Sequence, residues 1–297
     1  MNKFSLISPI YNVKEIVFNK KTIQALIDKI RNKQSFAQQL FYKIEGLKHK
    51  GTIKTLILGS SHLANGYWAE DEEYNLSMPS QDLYYAYNLY KEFNNSNIKN
   101  IVIAFSVFTP GLSIIRTICS DFCIPYKVLL DIPYQDNEVA IKKQLYLKEN
   151  KCKTEIEEYK KNFKIEYPCN GNLLRYPHKK FNKKKACDRA LKHLKNNKRE
   201  NSQMHYCVDI IELATKNNQN IFFVLPPTTK TYREVLPPKE IIFKELINVV
   251  QNYSNAKILN YFDTDYFDEV KDFTNEDHLN RQGAIKLASF VRKEINE

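Results

Sequence analysis

The sequence predicts an α/β protein built on a parallel sheet. Short apolar, β-branched runs recur at Thr55–Leu58, 100–105, Asn220–Leu225 and 257–262, each bounded by turn residues. Helical patterns separate them, and strand–helix–strand order implies right-handed crossovers between parallel strands. The first run is closed by Gly59-Ser60-Ser61-His62. A small-residue turn at the carboxyl end of a strand is where open α/β sheets place their chemistry.

Taken in order, the elements fit this frame. Residues 22–47 repeat apolar positions (Ile23, Leu26, Ile27, Ile30, Leu40, Phe41, Ile44) at helical spacing. They define an N-terminal helical extension over 1–50, ahead of an α/β domain over 51–297. After the first strand, 74–78 reads as a second, short one. Residues 81–93 form a helix with Leu83, Tyr84, Tyr87 and Tyr90 on its apolar side, leading into the strand at 100–105. The rhythm breaks over about 112–205, which is rich in lysine and tyrosine and reads as a helical insertion folded over the sheet edge. Helices are expected within it at 155–163 and 184–195. Beyond it come a helix at 208–216, the strand Asn220–Leu225 closed by Pro226 and Pro227, a helix at 239–251, a last strand, and a terminal helix at 281–295.

Composition narrows the class. Hydrophobic residues make up 43% of 297, enough for a sizeable core. No apolar run approaches the roughly 18 residues of a spanning helix. The apolar patch at 4–13 is too short and polar-flanked for a secretion signal. A cytoplasmic protein is expected, with association at the inner membrane surface open through its basic block. The six cysteines are scattered; Cys119 and Cys123 make a C-x3-C pair with no second pair, so reduced thiols are expected rather than zinc.

The net charge of +11 is concentrated in one place. Between residues 175 and 199, eleven basic residues stand against Asp188 alone. Such a block suits an anionic glycan or a membrane surface, or is simply a solvated helix face. Nucleic acid is not an expected partner, because no recognised module accompanies the charge.

The candidate chemistry lies in two distant places, Ser61 after the first strand and His278 before the last helix. A serine hydroxyl becomes a nucleophile when an imidazole takes its proton, and fixed donors stabilise the oxyanion. His62, beside Ser61, is a second imidazole read as lining the pocket.

Two resemblances follow from these residues. The N-terminal Phe4-Ser-Leu-Ile-Ser-Pro-Ile-Tyr-Asn-Val13 resembles the first strand of inverting family 2 glycosyltransferases. It covers about fifteen residues, no Asp-Asp-Gly or Asp-x-Asp follows, and no function is carried over. The second is broader. Leu58-Gly-Ser-Ser61-His, Val224-Leu-Pro-Pro227 and Phe273-Thr-Asn-Glu-Asp-His-Leu-Asn-Arg-Gln-Gly-Ala284 resemble the SGNH (GDSL-type) hydrolases, in their polysaccharide-modifying branch. The likeness spans roughly 52–110 and 205–297. It implies a three-layer α/β/α (flavodoxin-like) fold, Ser61 as nucleophile, His278 as base, and neither a metal nor an organic cofactor. It implies a serine esterase or O-acyltransferase acting on a carbohydrate or other acylated small molecule, such as a surface-glycan precursor.

The sequence departs from the family at the supporting positions. The oxyanion Asn is replaced by Ser106, and the donor glycine has no match, leaving Ser77 or Ser80 to supply an N–H. The acid that orients the imidazole falls on Asn275, with the adjacent Asp277 as rival. An Asp at 275 is therefore expected to raise activity, and loss of Asp277 to matter less. These departures also keep open a non-catalytic protein of this fold that binds an anionic glycan or partner through the 175–199 block.

Overall fold

The computed structural model describes residues 35–135, 139–163, 170–172, 182–197 and 202–297. The apolar stretch at 4–13, the first part of the helix read at 22–47, and Arg175, Lys179, Lys180, Lys198 and Arg199 of the basic block lie outside them.

In chain order the elements are α1 (Phe36–His49), β1 (Thr55–Leu58), α2 (Ser61–Gly66), β2 (Glu73–Asn75), α3 (Leu83–Phe93), β3 (Asn100–Ala104), α4 (Cys123–Leu130), α5 (Val139–Asn162), α6 (Lys183–Asn197), α7 (Met204–Lys216), β4 (Asn220–Leu225), α8 (Lys230–Arg233), α9 (Lys239–Ile242), α10 (Lys244–Val250), β5 (Ala256–Asn260) and α11 (Arg281–Asn296). The five strands are all parallel and run in the order β2-β1-β3-β4-β5. The chain leaves β1 toward β2 and returns to β3 on the other side. The crevice beyond the carboxyl ends of β1 and β3 is thus the topological switch point.

Alternation along each strand separates two apolar layers. Leu56, Leu58, Ile101, Ile103, Ile221 and Phe223 face one core, shared with α1, α3, α4 and α7. Ile57, Val102, Ala104, Phe222 and Val224 face the other, shared with Leu63 of α2 and Leu287, Ala288 and Val291 of α11. This is the three-layer α/β/α arrangement. β1 is buried along its whole length, as strands covered on both faces are. From α1, Leu40, Phe41 and Ile44 enter the first core. Lys43 of the same helix is buried and donates through Nζ to the carbonyls of Asn75 (2.9 Å) and Ser77 (2.7 Å), fixing the exit of β2.

The helix expected over 239–251 is two helices. Phe243 turns inward between them, its ring 6.2 Å from that of Phe105 and 5.3 Å from that of Phe262. The helix expected from 208 begins at Met204, where Gln203 donates its N–H to the Pro110 carbonyl. Cys119, Cys123, Cys152, Cys187 and Cys207 are free thiols; Cys169 is outside the described residues. Among the described residues no helix is long and apolar enough to cross a membrane.

Candidate active site

The turn after β1 is built for close approach. Gly59 has φ +112°, and a Cβ there would lie 2.8 Å from the Cβ of Ala104 on β3, so glycine is required. Its N–H donates to Gln81 Oε1 at 2.7 Å. Ser61 opens the short helix α2, in which Leu63 and Ala64 donate to the Ser60 carbonyl. The N–H groups of Ser61 and His62, in the first turn, have no acceptor within the helix.

The loop before α11 is closed by its own backbone. Thr274 N–H donates to the His278 carbonyl at 2.8 Å, and Asn280 N–H to that of Asp272. Asn280 also caps α11, accepting from Gly283 N–H at 3.0 Å, an arrangement worth about 1 kcal/mol. Thr229, after β4, donates through both its N–H and its hydroxyl to the Glu276 carbonyl. The loop is therefore pinned over the carboxyl end of the sheet.

These two turns bring Ser61 and His278 together across 217 residues: Ser61 Oγ lies 2.8 Å from His278 Nε2. On the other side of the ring, Nδ1 lies 2.9 Å from Asp277 Oδ1 and 3.0 Å from Asn275 Oδ1. Nδ1–H therefore donates to these oxygens, and Nε2 is left to accept the Ser61 proton. Both candidate orienters reach the imidazole, but only Asp277 brings charge. Asn275 Oδ1 also accepts from the N–H groups of Asp277 and His278, so it shapes the turn that aims them. Asn275, ranked first from the sequence, and Asp277 thus stand at the same nitrogen.

Asp277 is fully buried and sits among several groups. His62 Nε2 lies 3.3 Å and His193 Nδ1 3.7 Å from its Oδ2, and Arg189 Nε lies 2.7 Å from its Oδ1. Neither Arg189 Nε nor Asp277 Oδ2 is aligned for a hydrogen bond, so Arg189 acts on Asp277 through its charge. Burial works against the carboxylate, but His278 and His62 overcome it and hold Asp277 well below the usual range. Burial pushes His278 down to about 4 despite the pull of Asp277, with His62 and Arg189 adding to the fall. Burial likewise lowers His193 to about 3. At neutral pH His278 is thus uncharged, as a base must be.

His62 lies within the site, its ring stacked on that of His278 at 4.7 Å and 12°. Its Nδ1 is 2.9 Å from Ser106 Oγ and 3.4 Å from Ser60 Oγ. Of the other expected oxyanion groups, the Ser106 hydroxyl is the one on His62 Nδ1, and the Ser77 N–H meets Asn75 Oδ1. Ser106 N–H donates to Thr109 Oγ1. Ser80 occupies a left-handed turn position at φ +59°. Among the described residues no hydrogen bond joins Ser77, Ser80 or Ser106 to Ser61.

Arg189 and His193 come from α6, in the insertion, where the sequence reading placed only a basic block. His193 Nδ1 is 2.7 Å from the Tyr232 hydroxyl, and its ring packs on Phe108 at 4.7 Å. One signal was available: Arg189 and His193 share a helical face with Ala186 and Ala190, both buried. A charged residue on an alanine face points inward.

His62, Asp277 and His278 each offer one ligand atom within a 4.8 Å span that could hold a metal ion. The Arg189 guanidinium opposes a cation there, and His278 Nδ1 already has two hydrogen-bond acceptors. The residues fit a proton-transfer site better than a metal centre.

No family model matches the chain, and no curated protein does. Among solved structures, a Streptococcus pneumonia protein described as a "putative platelet activating factor" is similar at 12% identity and a TM-score of 0.44, over 93% of this chain and 99% of that one. A likeness of this extent carries no residue role across.

Proposed function

We propose that the chain is a serine esterase or O-acyltransferase of SGNH type, acting on an acyl group of a sugar or surface-glycan precursor. The observation that carries this reading is the Ser61–His278–Asp277 array, with Ser61 Oγ at 2.8 Å from Nε2 and Asp277 at 2.9 Å from Nδ1. It lies beyond β1 at the switch point of the sheet.

In this reading Nε2 takes the Ser61 proton as Oγ adds to the ester carbonyl carbon. Asp277 stabilises the imidazolium that forms. The carbonyl oxygen becomes an oxyanion facing the Ser61 and His62 N–H groups. Collapse breaks the bond to the sugar oxygen, which takes the proton from Nε2. Water or a second sugar hydroxyl then gives its proton to Nε2 and attacks the acyl-Ser61, and Ser61 Oγ leaves, taking that proton back from Nε2. The carbohydrate substrate rests on the sequence resemblance. The serine chemistry rests on the geometry.

The test is turnover of a small aryl acetate by the purified chain beside Ser61→Ala. Hydrolysis above the Ser61→Ala blank is the expected result. Equal rates in the two proteins would leave a binding protein on a hydrolase fold.

A further inference from the structure

A serine hydrolase gains nothing in basicity from a permanent cation on its orienting carboxylate. When Ser61 gives up its proton, the charge forms on His278. Arg189 draws on the same Asp277 oxygen that supports His278, and its Nη2 lies 3.5 Å from His278 Nδ1. Its charge therefore opposes the imidazolium. Burying such a pair is itself costly. A cation placed there has another use.

The guanidinium keeps donors to give. Arginine carries five N–H donors in a planar fork, and the contacts to Asp277 and His278 engage only its Nε and Nη2. The side chain is 38% exposed, against 4% for His278, so it reaches solvent one imidazole ring away from Ser61. Helical spacing puts Lys185 and Lys192 on the same flank of α6 as Arg189. Both are exposed, and neither has an acidic partner among the described residues. Lys183, on the opposite flank, lies 3.7 Å from Glu234.

We infer that Arg189, flanked by Lys185 and Lys192, holds an anionic group of the substrate, a carboxylate or a phosphate, beside the ester that Ser61 attacks. The inference rests on the serine hydrolase reading and narrows its substrate to an acidic one. A guanidinium fork matches either oxyanion in bidentate fashion. A bound anion would also share the Arg189 charge and relieve its opposition to the imidazolium.

The experiment compares three acetates with the same scissile bond: phenyl acetate, 4-acetoxybenzoate and 4-acetoxyphenyl phosphate. The readout is the ratio of kcat/KM for each anionic ester to that for the neutral one. The expected ratio is about tenfold or more for at least one anion, falling with added salt. Which anion it is identifies the group. Arg189→Gln should collapse the ratio toward one, and Arg189→Lys should keep part of it. The exposed Lys185→Ala/Lys192→Ala pair, which does not threaten folding, should lower it about threefold. Should no aryl ester turn over, the same ratio is read from how well each compound protects Ser61 against a fluorophosphonate. A parent ratio near one, or a ratio unchanged in Arg189→Gln, overturns the inference while Ser61 reactivity stands. No turnover together with no labelling of Ser61 overturns the hydrolase reading and this inference with it.

Discussion

His278 and His62 face each other on Asp277, each with a serine hydroxyl on one nitrogen and the carboxylate near the other. Their chemical groups are the same, yet their surroundings differ. In the His278 arm both links are aligned hydrogen bonds, 2.8 Å to Ser61 and 2.9 Å to Asp277, and Ser61 is only half-buried. In the His62 arm the serine is Ser106, 3% exposed, and the contact to Asp277 is 3.3 Å without hydrogen-bond alignment. Residue identity alone does not separate a reacting arm from a supporting one. Access and alignment do.

The largest effect should come from the group both arms share. Asp277→Asn removes the only carboxylate at His278 Nδ1 among the described residues, and kcat for a simple acetyl ester should fall by about 10³- to 10⁴-fold. Asn275→Asp should bring no gain, because a second carboxylate at the same nitrogen repels the first and drives one of the two to its neutral form. Steady-state kinetics of both variants checks this. A gain in Asn275→Asp with little loss in Asp277→Asn would restore the ranking expected from sequence.

A smaller effect is expected from the second arm. With His278 lowered to about 4, its neutral form prevails above that pH, so kcat/KM should fall only as pH drops through about 4. His62 is one of the neighbours that lower it. His62→Asn should therefore shift the acid limb of the kcat/KM profile upward and reduce kcat by about tenfold. An unmoved acid limb would make His62 a packing residue. Stability follows the same sign. His278 and His193, at about 4 and 3, stay unprotonated in the fold while the unfolded chain takes up protons near 6.5. Their contribution is present above about pH 6.5 and is lost as pH falls toward those values.

Much of the fold was legible because each strand is a short apolar run and each crossover a helical pattern. The turn at Ser61 and the loop at His278 were legible as breaks at the ends of such elements. The side-chain direction of Asp277, named only as a rival to Asn275, was not. That direction is set by the Thr274–His278 backbone bond and by Asn275 accepting two N–H groups, which is turn geometry and not residue pattern. Arg189 was hidden for a different reason. In a segment dense with lysines its charge did not stand out, and only the packing of α6 shows that it points at Asp277. The donors expected from Ser106 and Ser77 were a hydroxyl and an N–H respectively; the first meets His62 Nδ1 and the second donates to Asn75 Oδ1, partners that helical or strand period does not specify.

The most direct measurement is site mapping of a fluorophosphonate adduct by peptide mass spectrometry at neutral pH. Phosphonylation of Ser61 is expected in the parent, none at Ser106 or Ser60, and loss of the adduct in His278→Ala. An adduct on Ser106, or an unmodified Ser61 in a folded protein, would contradict this expectation.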